Sequence, residues 1–341
     1  MSAADAEAPP PARGAAAAAP TPSTGAAPSA GARPGLPREA LAGLGAMIAA
    51  LAVLPFVLVF VISFGQNEDG AAWHWAFVFE NYQRFFVGLE FPETFSTLYL
   101  ERLWNSFLYS ILGALIAVAL AFPFTYALTR RSRATQTVWL VLILSALSLS
   151  EVFVVMGWDI LLSNRSGLPM VFRETGVTQL LKDVGAFPTL RDWGLANPRD
   201  LRFKPSIVAT LLSLTYVVWP YAVILLYAPL SRLDQAQLEA ARTMGAGPWT
   251  VVRSVVIPAV RLPLIGATLL LFVYLLGVLV TVTVFAAPSE HTLTVSIADA
   301  VRGSALNAPF GAAQSMVLLV VATVFLLASS WLTRRSSGGA T

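Results

Sequence analysis

The sequence predicts an all-α membrane protein of about six transmembrane helices. Three observations carry that expectation. Of the 341 residues, 56% are hydrophobic and only 12% charged, against roughly 25% charged in an ordinary soluble domain, and the mean hydropathy is +0.69. The apolar residues fall into separated blocks of about 20, enough to cross roughly 30 Å of hydrocarbon at about 1.5 Å per residue. None of the blocks alternates apolar with polar as the strands of a membrane barrel do, so helices, which satisfy their own backbone polar groups, are the spanning form.

Taken in order, residues 1–38 are Ala, Pro, Gly, Ser and Thr with few large apolar side chains, a composition that buries too little to offset the entropy of ordering and predicts a disordered tail. The apolar run that follows, 41–64, outlasts the roughly 7 to 15 residues of a signal-peptide core. It is therefore expected to be a first transmembrane helix, with Pro55 as the place for a kink. Further spans are expected at 104–128, 138–162, 207–230, 262–285 and 315–332, within a membrane domain over 39–335 that leaves 336–341 as a short tail. Gly266 and Gly277 are expected to let helices approach closely.

Orientation follows from Lys and Arg near the span ends. Arg33 and Arg38, Arg130, Arg131 and Arg133, Arg232, Arg242, Arg253 and Arg261, and Arg334 and Arg335 all fall on one side. The loop 65–103 on the other side is acidic, with Glu68, Asp69, Glu80, Glu90, Glu93 and Glu101. Both termini are thus expected in the cytoplasm of a bacterial cell, the chain being multi-pass in the inner membrane. The loop 163–205 runs against this with seven Lys and Arg, Arg191 and Lys204 among them. It is long, and long loops weigh little in the charge rule.

The connector between the fourth and fifth spans carries its own physical logic. From Leu238 the residues favour a short helix rich in Ala and Arg, closed by Gly245 in the left-handed conformation of a helix C-cap. Gly247 turns the chain and Pro248 starts a second helix, at the position where a missing amide hydrogen costs nothing. Pro258 is expected to end it. Ala240 and Ala241 leave a shallow surface that another protein's backbone can approach, with Glu239 and Arg242 polar at its rim. An amphipathic connector lying on the membrane surface is the plainer alternative.

Over residues 238–258 this stretch resembles the EAA loop of the permease subunits of bacterial ABC importers, whose pattern is E-A-A, three residues, Gly, nine residues, then I-x-L-P. Glu239, Ala240, Ala241 and Gly245 match, and Val255, Ile257 and Pro258 stand where Ile, Leu and Pro are usual. The resemblance implies a type I permease bundle in which the loop docks on an ATPase. Glu239, Ala240, Ala241, Arg242, Gly245, Ala246, Gly247 and Pro258 would then form the ATPase-coupling element. It also implies an ABC ATPase dimer carrying ATP and Mg, a second permease subunit, and an extracytoplasmic solute-binding protein touching the loops around Glu90, Arg191 and Asp299. No cofactor is expected on this chain itself, which has no GxxxxGK[ST] phosphate loop. The segment Asn81 to Phe86, the Pro123, Tyr126, Ala127, Leu128 helix ending and Gly167 with Leu168 are similar to the spermidine/putrescine branch. An Arg usual there in the third span is missing, with Val154 in its place. A polyamine-like cation is the expected solute, with an amino acid or opine as the alternative.

Glu151 falls inside the third expected span and Asp159 near its end. A carboxylate at bilayer depth costs about 2.5–3.5 kcal/mol on insertion scales, so something should compensate it. Two readings of Glu151 stay open: a pathway group that attracts a cationic solute, or a structural carboxylate bonded to Ser148, Ser150 or a neighbouring helix. Tyr216, Trp219, Pro220, Tyr221, Tyr274, Thr281 and Thr283 are candidates to line the same pathway, the aromatic rings offering their faces to a cation.

An enzyme is not expected. The only two His residues, His74 and His291, are far apart, no HExxH or GxSxG pattern occurs, and there is no Cys to serve as nucleophile or metal ligand. An ion-coupled carrier would be expected to show internal repeats with paired broken helices, and none is evident in the sequence.

Overall fold

A computed structural model describes residues 38–68, 73–88, 91–164, 166–198, 200–303 and 306–338. Residues 1–37 of the expected tail, Asp69, Glu90, Arg165, Arg199 and residues 339–341 lie outside the described residues.

The described chain is helical. Helix α1 is Arg38–Ile62, with Pro55 inside it. Its second half presents Phe56, Val57, Leu58 and Phe60 outward, as a lipid-facing surface requires. A short α2 (Glu80–Val87) precedes α3 (Leu98–Leu128), and α4 (Arg133–Leu147) is followed by α5 (Glu151–Leu161). Three short helices, α6 (Leu168–Glu174), α7 (Val177–Asp183) and α8 (Phe187–Asp192), fill the loop whose charge ran against the topology. Then come α9 (Ile207–Ser231), α10 (Gln235–Thr243), α11 (Pro248–Val251), a π-helical turn Val252–Val256, α12 (Ile257–Ala259), α13 (Arg261–Leu276), α14 (Val280–Phe285), α15 (Leu293–Arg302) and α16 (Ala308–Gly338).

Four of these, α1, α3, α9 and α16, are long and apolar enough to span a bilayer alone, and two bent pairs bring the number to as many as six. The core is α3 packed along α9 and α13. Its buried residues on α3 are Ser106, Tyr109, Ser110, Gly113, Ala114, Ala117, Val118, Ala121, Thr125 and Leu128, a stripe at three- and four-residue spacing. Most are small. Lipid tails are as apolar as Leu, so helices in a membrane associate through close van der Waals contact, and small residues permit it. Gly113 is where this matters most: a Cβ there would come within 2.9 Å of Leu275 Cδ1 on α13. Gly266, expected to play that part, faces open space, and Gly277 ends α13.

The third expected span, 138–162, is not one helix. Helices α4 and α5 meet at a break over Ser148, Leu149 and Ser150, and their axes differ by 92°. The hydroxyls supply a reason. Ser145 Oγ donates to Val141 O at 2.8 Å and Ser148 Oγ to Ser145 O at 2.7 Å, competing with the backbone for the carbonyls of the last turn. The fifth expected span, 262–285, is likewise divided, into α13 and α14, by a turn over Gly277 to Leu279 in which Gly277 and Val278 donate back three residues, to Tyr274 O and Leu275 O. The sixth is longer than expected, running from Ala308 to Gly338.

Candidate functional site

The break between α4 and α5 meets α9 and Tyr274 of α13 around one small cleft of about 70 Å³, lined by Glu151, Val154, Tyr216, Pro220, Tyr221 and Tyr274, with Ala146, Leu147, Leu149 and Val217. Glu151 is the first residue of α5, not a mid-helix residue as the uninterrupted span implied. The break therefore places the carboxylate at a helix N-terminus, where the backbone dipole favours negative charge. Its Oε1 accepts from Thr281 Oγ1 at 2.9 Å and from the Thr281 N–H at 3.4 Å. The compensation is thus on a neighbouring helix, with neither Ser148 nor Ser150 bonded to it.

Tyr216 is about half exposed beside it, edge-on to Trp158 of α5 at 5.3 Å between ring centroids. The rings of Tyr221 and Tyr274 lie 5.3 Å apart, tilted by 38°. Of the expected pathway residues, Glu151, Tyr216, Pro220, Tyr221 and Tyr274 are thereby brought to one place. Trp219 is not among them. Its ring turns toward α3 and packs at 5.0 Å on Phe124, which also meets Trp139 of α4, so it belongs to the bundle core. Thr283 instead donates to Leu279 O within its own chain segment. Asp159 is engaged by Lys204, whose Nζ bonds both its carboxylate and its backbone O. One Lys of the loop with contrary charge is therefore spent locally on an acid at the end of α5.

The connector between α9 and α13 forms as a bent element. Asp234 caps α10 by accepting from Ala236 N at 2.9 Å. Gly245 closes it at φ +82°, and the Ala246 N–H reaches back to Ala241 O at 3.1 Å, satisfying a carbonyl that the helix end would leave open. Pro248 opens α11 as expected. Pro258 does not end that segment: it sits inside α12, beyond the π-helical turn in which Ile257 N–H bonds Val252 O. The direction changes at Val260, and the two arms differ by 71°. A residue inserted by the π-turn shifts the register, so the missing Pro258 amide hydrogen costs less than in a regular helix.

Leu238 and Ala241 are buried in the main core with Val251, Val256 and Val260. Ala241 therefore holds the element onto the bundle, and the outward face belongs to Glu239, Ala240, Arg242, Gly245 and Gly247, with Ala246 half-buried. That face carries two residues the sequence reading passed over. Met244 is 82% exposed and Trp249 73% exposed, one on each side of the turn. Their signal was available as large apolar side chains in a stretch otherwise polar or small. Arg130 at the end of α3 donates to Gln235 Oε1 at 2.8 Å, and Tyr227 of α9 donates to Gln136 of α4 at 2.7 Å, so this end of the bundle is cross-tied.

No protein-family profile matches the chain. Over 277 residues it is 25% identical to the spermidine/putrescine transport system permease protein PotB of Escherichia coli strain K12, covering 80% of this chain and 89% of that one. The chain is thus similar to a permease subunit of a transport system. A shorter match of 122 residues, at 27% identity, relates it to the PotC permease protein of the same system, covering 36% of this chain and 46% of that one. Among solved structures, a bacterial ABC transporter involved in the import of the acidic polysaccharide alginate has the same fold, with a TM-score of 0.61 at 15% identity, covering 87% of this chain and 96% of that chain. The relatives it matches are named as permease proteins of transport systems.

Proposed function

We propose that this permease passes a small organic cation of the di- or polyamine class inward across the bacterial inner membrane, driven by ATP hydrolysis on a separate subunit. The observation that carries the proposal is the cleft at the α4–α5 break, where one carboxylate, Glu151, stands among three tyrosines in a chain whose relatives are spermidine/putrescine permeases. A carboxylate offers a cation its charge, and tyrosine faces attract it through their quadrupole while tolerating the methylene stem of an alkylamine.

The exposed face of α10 and α11 is the docking surface for the ATPase. Glu239 and Arg242 give polar contacts there, Ala240, Gly245 and Gly247 allow close approach, and Met244 and Trp249 supply the apolar anchors that interface cores favour. ATP and Mg sit on that subunit, and this chain holds no cofactor. Both termini and the α10–α11 turn lie in the cytoplasm, and a second permease subunit completes the pathway. A solute-binding protein docks at the opposite face, near Arg191 at the end of α8 and Asp299 on α15. A rigid shift of the bent element, transmitted through Val260 into α13, rocks the helices that frame the cleft. Val154, which lines the cleft where the polyamine branch usually has Arg, supports a second reading in which the cation is an amino acid or opine.

The test is reconstitution of the four-component transporter with putrescine, spermidine, basic amino acids and opines offered in turn. A stimulated ATPase with an amine, lost in Glu151→Gln, is expected. Equal stimulation of the Glu151→Gln variant, or stimulation by neutral solutes alone, rejects the cationic pathway.

A further inference from the structure

We infer that Thr281 is the positioning residue that presents Glu151 to the solute, a reading that rests on Glu151 facing the pathway. Two short helices begin beside each other after the two breaks: α5 at Glu151 and α14 at Val280. Val155 of α5 and Phe285 of α14 share a buried cluster with Ala209 of α9. Thr281 is fully buried between them and has both of its donors on a single oxygen, Oε1 of Glu151. As the second residue of α14, it has an N–H for which the helix itself offers no acceptor, so the carboxylate satisfies an otherwise orphaned donor.

A carboxylate accepts at both oxygens. With Oε1 held by the Thr281 hydroxyl at 2.9 Å and more loosely by its N–H at 3.4 Å, the carboxylate is oriented, and Oε2, which makes no hydrogen bond among the described residues, is left for a donor entering the cleft. An ammonium group carries the N–H donors that oxygen lacks. The clasp also joins the two broken helices to each other, so the group that meets the solute is tied to the chain leading from Val260 through α13. Thr281 thereby sets where the charge stands, and the tyrosines set what surrounds it.

The experiment uses the assembled transporter in lipid nanodiscs and proteoliposomes, with Thr281→Val, Thr281→Ser and Glu151→Gln variants and putrescine as the probe. Infrared difference spectra between wild type and Glu151→Gln isolate the Glu151 carboxylate band. That band is expected to move in Thr281→Val and return in Thr281→Ser. Losing a hydrogen bond to a charged group predicts a rise of about tenfold in the putrescine KM of Thr281→Val, at unchanged kcat. Merely structural damage would lower transporter yield and kcat instead. An unmoved band with a KM within about twofold of wild type, while Glu151→Gln abolishes uptake, overturns the positioning role and leaves the pathway standing. Full putrescine uptake by Glu151→Gln overturns the pathway reading and this inference together.

Discussion

The two glycines of the α10–α11 turn hold different backbone conformations. Gly245 holds φ +82°, where an L-residue is strained, and Gly247 holds φ −66°, where it is not. A Cβ added at either meets nothing within 4 Å, so Gly245→Ala and Gly247→Ala differ in backbone strain with no steric clash at either site. The left-handed conformation costs a residue with a Cβ roughly 1–2 kcal/mol, which shifts a local opening equilibrium by a factor of about 5–30. The extended backbone before Pro248 suits Ala, and Gly247→Ala should stay within about 0.5 kcal/mol. The assay is hydrogen–deuterium exchange over residues 241–247 of the assembled transporter, where Met244 N–H bonds Ala240 O and Ala246 N–H bonds Ala241 O. Exchange should quicken about 5–30-fold in Gly245→Ala only, and solute-stimulated ATP hydrolysis should fall in that variant alone. Equal exchange in the two variants would refute the assignment of Gly245 as the left-handed cap that closes α10.

Three further outcomes are expected. Because the chain contains no Cys, Met244→Cys introduces a single thiol at a site 82% exposed; a membrane-impermeant maleimide should label it only in inside-out vesicles, and labelling in intact spheroplasts would reverse the topology. Gly113→Leu drives a side chain into Leu275 and should destabilise the purified permease by about 1–3 kcal/mol, measured as a lowered melting temperature, whereas Gly266→Ala should leave it unchanged or slightly raised. His291, between Glu290 and α15, has its pKa lowered first by burial and then by the Arg102 charge, against the raising effect of Asp299. The unfolded chain then takes up that proton before the folded one does, so this group's contribution to stability is intact above about pH 6.5 and falls as the pH drops below it. Urea midpoints should show a component of this pH dependence that disappears in His291→Gln.

Much of the architecture was legible in the chain because lipid imposes a simple rule: each apolar block must satisfy its own backbone, and so becomes a helix. The connector with Glu239, Gly245 and Pro248 was legible for a similar reason, since a left-handed glycine and an N-terminal proline act within one turn of themselves. What hydropathy could not show was where a long apolar run stops being one helix. The breaks at 148–150 and 277–279 interrupt runs apolar enough on average to read as single spans, and they arise from serine hydroxyls competing for carbonyls and from contacts between α5 and α14. Those breaks decide the site. They move Glu151 from mid-span to a helix start, bring Thr281 onto it from 130 residues away, and gather Tyr216, Tyr221 and Tyr274 while sending Trp219 into the core. Ala241 was likewise read as a contact for a partner, because its size suits either role and only the packing against Leu238 and Val251 turns it inward. Local chemistry was written in the chain; the direction each side chain faces came from neighbours distant in sequence, which no local pattern encodes.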